Sequence, residues 1–326
     1  MSKQKRVNNN NNRIIGGGGK IGHENGQKIK PIQISLPPPP PPQTSTSPIV
    51  HSDGVDTSCN KLALYIGIEY VAYNKQDIMP RLPGPHNDIE LAHSFFYNTY
   101  GYKHYYILSD KDSSKNQPTK SNIESYLIKC LQLCQQHSHI HTLLVYYSGH
   151  GTSLTDTNGD ESDGKDESWV PCDYINKGII TDDTLHNIFL TCTPPPTLKN
   201  ILVISDSCHS GTILDLPFQY TRESKTFQQI NNKIKQTIDT TIYTISGCRD
   251  DQESLSLNMQ QQKLHHWQGA LSFAIRRAFK SLDAYKTGIP CSDLIDSLQH
   301  SFQSFRISQI PIISCNKETV TPIITF

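Results

Sequence analysis

From Asn60 onward, short wholly apolar runs alternate with stretches whose apolar residues recur at helical spacing, and this alternation constrains the fold more than any other feature. The run Leu62–Ile68 (LALYIGI) has no polar face to offer water, so it predicts a strand buried on both sides. Further strands are expected at Tyr105–Leu108, Ile140–Tyr147, Asn200–Ser205 and Thr241–Ser246. Between them, Asn87 is read as the cap of a helix with the stripe Leu91, Ala92, Phe95 and Phe96. A capping box, Ser121 with Glu124, opens the next helix, whose stripe of Ile123, Tyr126, Leu127, Cys130, Leu131 and Cys134 makes both cysteines core residues rather than metal ligands. Helices are also expected at Asp182–Leu190, Gln268–Leu282 and Cys291–Phe305. Strand–helix alternation of this kind predicts an α/β fold with a mostly parallel central sheet covered on both faces.

Sequence before about Cys59 has another character. An Asn run (Asn8–Asn12), four glycines (Gly16–Gly19) and six prolines (Pro37–Pro42) offer too little apolar surface to offset chain entropy, so residues 1–59 are expected to be a disordered tail or spacer, or a regulatory prosegment. With 30 Lys+Arg against 30 Asp+Glu, the formal charge is zero, which argues against nucleic acid or an anionic membrane as the main partner. No apolar run reaches the ~18 residues of a membrane helix, and Met1–Arg13 lacks the apolar core of a signal peptide. The nine cysteines are scattered without a disulfide-framework spacing, as for reduced thiols. A cytoplasmic monomer is the expectation.

Two strand ends carry chemistry. The strand ending at Tyr147 runs into Ser148-Gly149-His150-Gly151, and the strand ending near Ser205 runs into Asp206-Ser207-Cys208-His209-Ser210-Gly211. In open parallel sheets, ligands bind at the carboxyl ends of strands, so neighbouring placement would bring His150 and Cys208 to one edge. A thiol is the best candidate nucleophile, needing a base and donors for the developing oxyanion; the N–H groups of Gly151 and Cys208 are the natural pair. A Gly-His-Gly segment is also compatible with a plain turn, and a strand-end Cys with buried filler. His209 is an alternative partner, though a side chain adjacent on the same loop would normally point elsewhere.

These loops resemble those of metacaspases, the caspase relatives of plants, fungi, protists and some viruses. The match is carried by TLLVYYSGHGT, NGDESDGKDESWVPCD, ITDDTLHNIF and ILVISDSCHSGTILDLPFQY, with weaker matches in ALYIGIEY, LPGPHNDIELA, TISGCRDDQES and WQGALSFAI. They occur in family order over essentially Lys61–Phe326. The resemblance is to the type I group, without the cysteines for its zinc-finger prodomain, and Pro85–Asn87 lacks the Cys the family usually has there. The resemblance implies a caspase/gingipain three-layer α/β sandwich spanning 60–326, divided into a large-subunit part (60–220), a linker (221–240) and a small-subunit part (241–326). It implies a cysteine endopeptidase with His150 and Cys208 as the dyad and Gly151 beside it. It also implies cleavage of proteins after Arg or Lys through an acidic pocket of Asp88, Ser148 and Asp206. Charge logic agrees, because a buried guanidinium needs a carboxylate.

Between Asp156 and Glu167 lie six acids and one lysine. The register nearly fits an EF-hand loop, but Glu161 stands where Gly is needed and the flanks do not read as helices, so an EF-hand is rejected. The family resemblance implies instead a discontinuous Ca²⁺ site on Asp166, Asp182, Asp183 and Asp215. Helix capping alone explains two acids at a helix start, and a solvated loop explains the acidic run. Self-cleavage of a zymogen is expected in the linker, at Arg222 or Lys225, with Lys233 and Lys235 nearby, since the segment reads as an exposed loop. The competing functions are a catalytically idle caspase-like scaffold and a calcium-sensing module.

Overall fold

The structure, a computed structural model, describes residues 58–72, 79–111, 116–155, 164–191, 194–223, 225–231, 238–249, 256–258, 267–282, 288–318 and 323–325. Residues 1–57 of the tail read as disordered, the acidic stretch 156–163, and Lys233 and Lys235 therefore lie outside the described residues, whereas Cys59, the tail's last residue, is buried.

The strands are β1 (Lys61–Gly67), β2 (His104–Ser109), β3 (Thr142–Ser148), β4 (Gly151–Thr155), β5 (Lys165–Trp169), β6 (Ile180–Thr181), β7 (Asn200–Asp206), β8 (Phe218–Thr221), β9 (Thr226–Gln229) and β10 (Thr241–Ser246). They continue with β11 (Ser256–Asn258), β12 (Trp267–Gly269), β13 (Ile289–Pro290), β14 (Ile312–Cys315) and β15 (Ile323–Ile324). The α-helices are α1 (Pro85–Phe95, prolonged by a π-helical turn Phe96–Tyr100), α2 (Lys120–Gln136), α3 (Tyr174–Lys177), α4 (Asp182–Thr191), α5 (Ala270–Ser281) and α6 (Cys291–Ser304). The main sheet has eight strands in the order β2-β1-β3-β7-β10-β14-β8-β9. The first five are parallel to one another, whereas β14, β8 and β9 pair antiparallel.

Strand alternation splits the interior into two layers of core, one on each side of the sheet. Ala63, Tyr65, Leu144, Tyr146, Leu202, Ile204, Tyr243 and Ile245 pack with α1, α5 and α6. The intervening residues Leu62, Leu64, Ile66, Leu143, Val145, Ile201 and Val203 pack with α2 and α4. A strand buried on both faces must be apolar throughout, which is why these runs lack polar alternation. The expected three-layer α/β sandwich is therefore the fold. Cys130 and Cys134 are indeed core residues of α2.

Helix starts differ from the expectation. Pro85 occupies the first turn of α1 after Gly84, whose φ of 125° lies in the region that favours glycine; Asn87 is inside the helix and donates to the Trp267 carbonyl. Helix α2 is capped by Thr119, which accepts from Asn122 N at 3.2 Å, rather than by a Ser121–Glu124 box. The segment read as an exposed linker contains an edge strand: β9 pairs with β8, and Phe227 is buried against Tyr220.

Candidate active site

Parallel pairing of β3 with β7 sets the geometry. The ladder ends with Ser148 opposite Asp206, so His150 and Cys208 each stand two residues beyond the last matched pair. The two loops touch at Gly151, where a Cβ would collide with the Cys208 carbonyl oxygen, so only glycine permits this approach. His209, immediately after the thiol, has φ 48° in the left-handed region, a strained backbone of the kind found at functional turns. Behind the loop, Trp169 Nε1 donates to Ser205 Oγ at 2.9 Å, and Ser205 Oγ and Ser207 Oγ lie 2.9 Å apart. Trp169 also stacks on Tyr147 at 4.4 Å and 3°, so one indole braces both loops.

His150 is held on four sides. Its backbone N–H donates to Tyr70 Oη at 2.9 Å, its carbonyl accepts from Tyr147 Oη at 2.7 Å and from Val170 N at 3.2 Å, and its ring lies 4.7 Å from that of Tyr70. Ring Nε2 is 2.8 Å from the Pro80 carbonyl oxygen. A carbonyl only accepts, so Nε2 carries the proton of the neutral ring, leaving Nδ1 bare. Burial lowers the His150 pKa below the ordinary imidazole value, opposed by the Pro80 bond.

His150 and Cys208 line a cleft of about 350 Å³ with Gly151, Asp88, Ser148, Asp206 and Gly269, walled by Met79, Pro80 and Leu82. Cys208 is partly exposed and is the cleft's cysteine; burial pushes the Cys134, Cys172, Cys248, Cys291 and Cys315 thiols up to about 12. The structure thus brings together all six residues expected for catalysis and for the acidic pocket.

At the acidic end of the cleft, Ser148 Oγ donates to Asp88 Oδ2 at 2.8 Å rather than capping its own turn. The Gly269 N–H faces both Asp88 oxygens at 3.0 Å. Asp206 Oδ2 accepts from Ser272 N and Ser272 Oγ, each at 2.7 Å, and so caps α5 from outside, where the helix dipole favours its charge. Burial, then the neighbouring Asp206 carboxylate, hold the Asp88 carboxyl well above the usual carboxylate range. Gly269 and Ser272 are site residues that the sequence reading missed. A Cβ at Gly269 would strike Asp206, and a Gly just ahead of a helical stripe was the available clue.

The four acids expected to bind Ca²⁺ occupy adjoining elements: Asp166 on β5, Asp182 and Asp183 opening α4, and Asp215 past the Cys208 loop. Glu167 N donates to Asp182 Oδ2, Asp183 N donates to Asp182 Oδ1 at 2.8 Å, and Thr212 Oγ1 donates to Glu167 Oε2 at 2.7 Å. Asp182 thus has both oxygens engaged by amides. Among the described residues, no three His, Cys, Asp or Glu side chains converge on a point that would hold a metal ion. Arg222 and Lys225 occupy the turn between β8 and β9, where Arg222 Nε pairs with Asp296 at 2.6 Å and Lys225 has φ 55°. No helix among the described residues is long and apolar enough to cross a membrane.

Residues 61–217 match the family model described as metacaspase, peptidase C14 domain. Metacaspase-1 of Cryptococcus neoformans is 39% identical over 166 residues, covering 50% of this chain and 34% of its own length. Metacaspase-1B of Aspergillus fumigatus is 37% identical over 164 residues, covering 49% of this chain and 38% of its own. The matched region is thus little more than a third of these relatives. A crystal structure of a Geobacter sulfurreducens protein covers 82% of this chain and 97% of its own at 21% identity and a TM-score of 0.53, a likeness of fold. A crystal structure of caspase-1 from Spodoptera frugiperda covers 78% and 86% at 10% identity and a TM-score of 0.49. Over residues 61–217 this chain is therefore similar to the metacaspase peptidase C14 domain, the family that the names of these relatives share.

Proposed function

We propose that this chain is a cysteine endopeptidase that cleaves proteins after Arg or Lys. The observation that carries the reading is the β3–β7 register, which delivers His150 and Cys208 to one cleft whose far end holds two carboxylates. The bare Nδ1 of His150 takes the Cys208 proton, and the thiolate attacks the scissile carbonyl carbon. The amides of Gly151 and Cys208 receive the developing oxyanion. The intermediate collapses as the resulting imidazolium returns the proton to the leaving amine, giving a thioester and a free amino terminus. Water, deprotonated by His150, then hydrolyses the thioester and restores the thiol.

Asp88 and Asp206 supply the charge for a guanidinium or ammonium, with Ser148 as a further acceptor. Like charges held this close in a buried site are costly when the cleft is empty and favourable when a cation enters. Calcium assistance would draw on the carboxylates of Asp166, Asp182, Asp183 and Asp215, hard oxygen donors of the kind that ion prefers, and no step of this reaction is routed through it. Self-cleavage in the β8–β9 turn follows from the same basic specificity, and Lys225 is the better site because Arg222 is paired with Asp296. The test is hydrolysis of fluorogenic peptides ending in Arg, Lys or Asp by the full chain and by Cys208→Ala. Turnover of the basic peptides by the wild type alone is expected, and preferential cleavage after Asp would overturn the specificity.

A further inference from the structure

The proposed reaction leaves a group of charged side chains beside the cleft unused. His86, buried in the first turn of α1, has Nε2 2.6 Å from Asp110 Oδ1 and Nδ1 3.5 Å from Glu69 Oε1. Each ring nitrogen therefore faces a carboxylate oxygen, and each carboxylate anchors one of the contacts that hold His150.

Asp110 accepts the N–H of Glu69 at 2.9 Å and of Val71 at 3.0 Å, the two amides flanking Tyr70. Tyr70 has φ 56°, a left-handed backbone that an aromatic residue adopts only under constraint, and these two bonds supply it. The Asp110 carboxyl lies below its ordinary range: burial would raise it, but the His86 bond and the two amides outweigh that. Glu69 holds the other contact. Its Oε1 accepts from Gly84 N at 3.3 Å, its Oε2 from Arg81 at 3.3 Å, and its carbonyl from Leu82 N at 3.1 Å. Those three donors flank Pro80 on the C-terminal side of its strap; Met79 N, donating to Tyr174 Oη at 3.1 Å, fixes the other side.

We propose that His86, clasped between Asp110 and Glu69, is a positioning residue that joins the Tyr70 turn to the Pro80 strap and so fixes the orientation and tautomer of His150. The inference rests on the reading of His150 as the base. Without the clasp, the Tyr70 ring and the Pro80 carbonyl lose their common anchor. The imidazole is then free to protonate on either nitrogen, and only the Nε2–H form can receive the thiol proton at Nδ1.

The experiment reads the tautomer directly, from ring ¹⁵N shifts of ¹⁵N-histidine-labelled full chain, with His150 assigned by its loss in His150→Gln. In the wild type, neutral His150 is expected in the Nε2–H form. His86→Leu should give a mixture of tautomers and a fall in kcat/KM on an Arg peptide of about tenfold to a hundredfold, the usual cost of a misplaced catalytic group. Glu69→Gln, which keeps the acceptor and drops the charge, should move both readouts the same way and carries the test alone if His86→Leu does not fold. An unchanged His150 tautomer and rate in the folded variants would overturn the clasp. A wild type that cleaves no basic peptide, yet shows the tautomer shift on mutation, would overturn the peptidase reading and leave the clasp standing.

Discussion

Replacing Asp88 by Asn should make the protein more stable and a poorer enzyme at once. The side-chain amide oxygen of the Asp88→Asn variant would still accept from Gly269 N and Ser148 Oγ, so the wall of the pocket keeps its shape. What the variant loses is a charge. Because burial and Asp206 raise the folded pKa of Asp88 above its unfolded value, Asp88 destabilises the empty protein wherever the unfolded carboxyl is ionised. That penalty is absent below the unfolded pKa, grows as pH rises past it, and is fully present once pH exceeds the folded pKa. The variant should therefore melt higher at neutral pH and at the wild-type temperature in acid. Activity moves the other way. Leaving a bound guanidinium with one carboxylate instead of two costs about 3 kcal/mol, the low end for a broken buried pair, because Asp206 remains. At 1.36 kcal/mol per factor of ten, that is roughly a 150-fold loss in kcat/KM. The assay compares Arg with its uncharged isostere citrulline at the cleavage position across a pH series. In the wild type, the preference for Arg should fall as acid protonates Asp88, and in the variant it should be small and lack that dependence. An Arg/citrulline ratio unchanged by Asp88→Asn would refute both the pocket assignment and the electrostatics behind it.

Other outcomes follow from the same geometry. Since burial lowers the His150 pKa, the imidazole stays neutral further into acid, so the acidic limb of the kcat/KM profile attributable to His150 should fall below the ordinary value of about 6.5; a limb above about 7 would contradict this. Gly151→Ala should misplace the Cys208 loop, costing about 1–3 kcal/mol of stability by overpacking and most of the activity, measured by thermal melting and peptide hydrolysis. Incubated full chain should acquire a new N-terminus at Thr226, found by N-terminal sequencing, and Cys208→Ala should not. Chelator should lower turnover if the acidic belt rearranges around Ca²⁺, with an affinity on the order of 10⁻⁴–10⁻³ M by calorimetry; unchanged rates and no binding heat would remove calcium from the account.

The central parallel strands were legible because burial on both faces leaves only apolar residues, and Thr241–Ser246 was placed to the residue. The short antiparallel strands β8, β9 and β14 were missed, since four residues show neither a long apolar run nor a helical stripe. The meeting of the His150 and Cys208 loops could be anticipated from equivalent strand ends. The supports could not. Ser272 reaches Asp206 across 66 residues and Gly269 reaches Asp88 across 181, and no local pattern records such pairings. Asn87 and Ser121 show the same limit at short range: each is a good cap by type, but Pro85 and Thr119 start their helices earlier.

The strand order gives the β8–β9 turn an unusual mechanical property. Severing the chain there would leave β2, β1, β3, β7 and β8 on one fragment and β9, β10 and β14 on the other. In space they interleave, with β7 beside β10, β14 beside β8, and β8 beside β9, so the two fragments would share three hydrogen-bonded seams. A nick would therefore relax the loop without releasing either piece. The nicked particle should travel as a single species through gel filtration and come apart only in denaturant. Each fragment alone would expose the raw seams of an unfinished sheet, so the halves are partners that have to be folded together before they are cut.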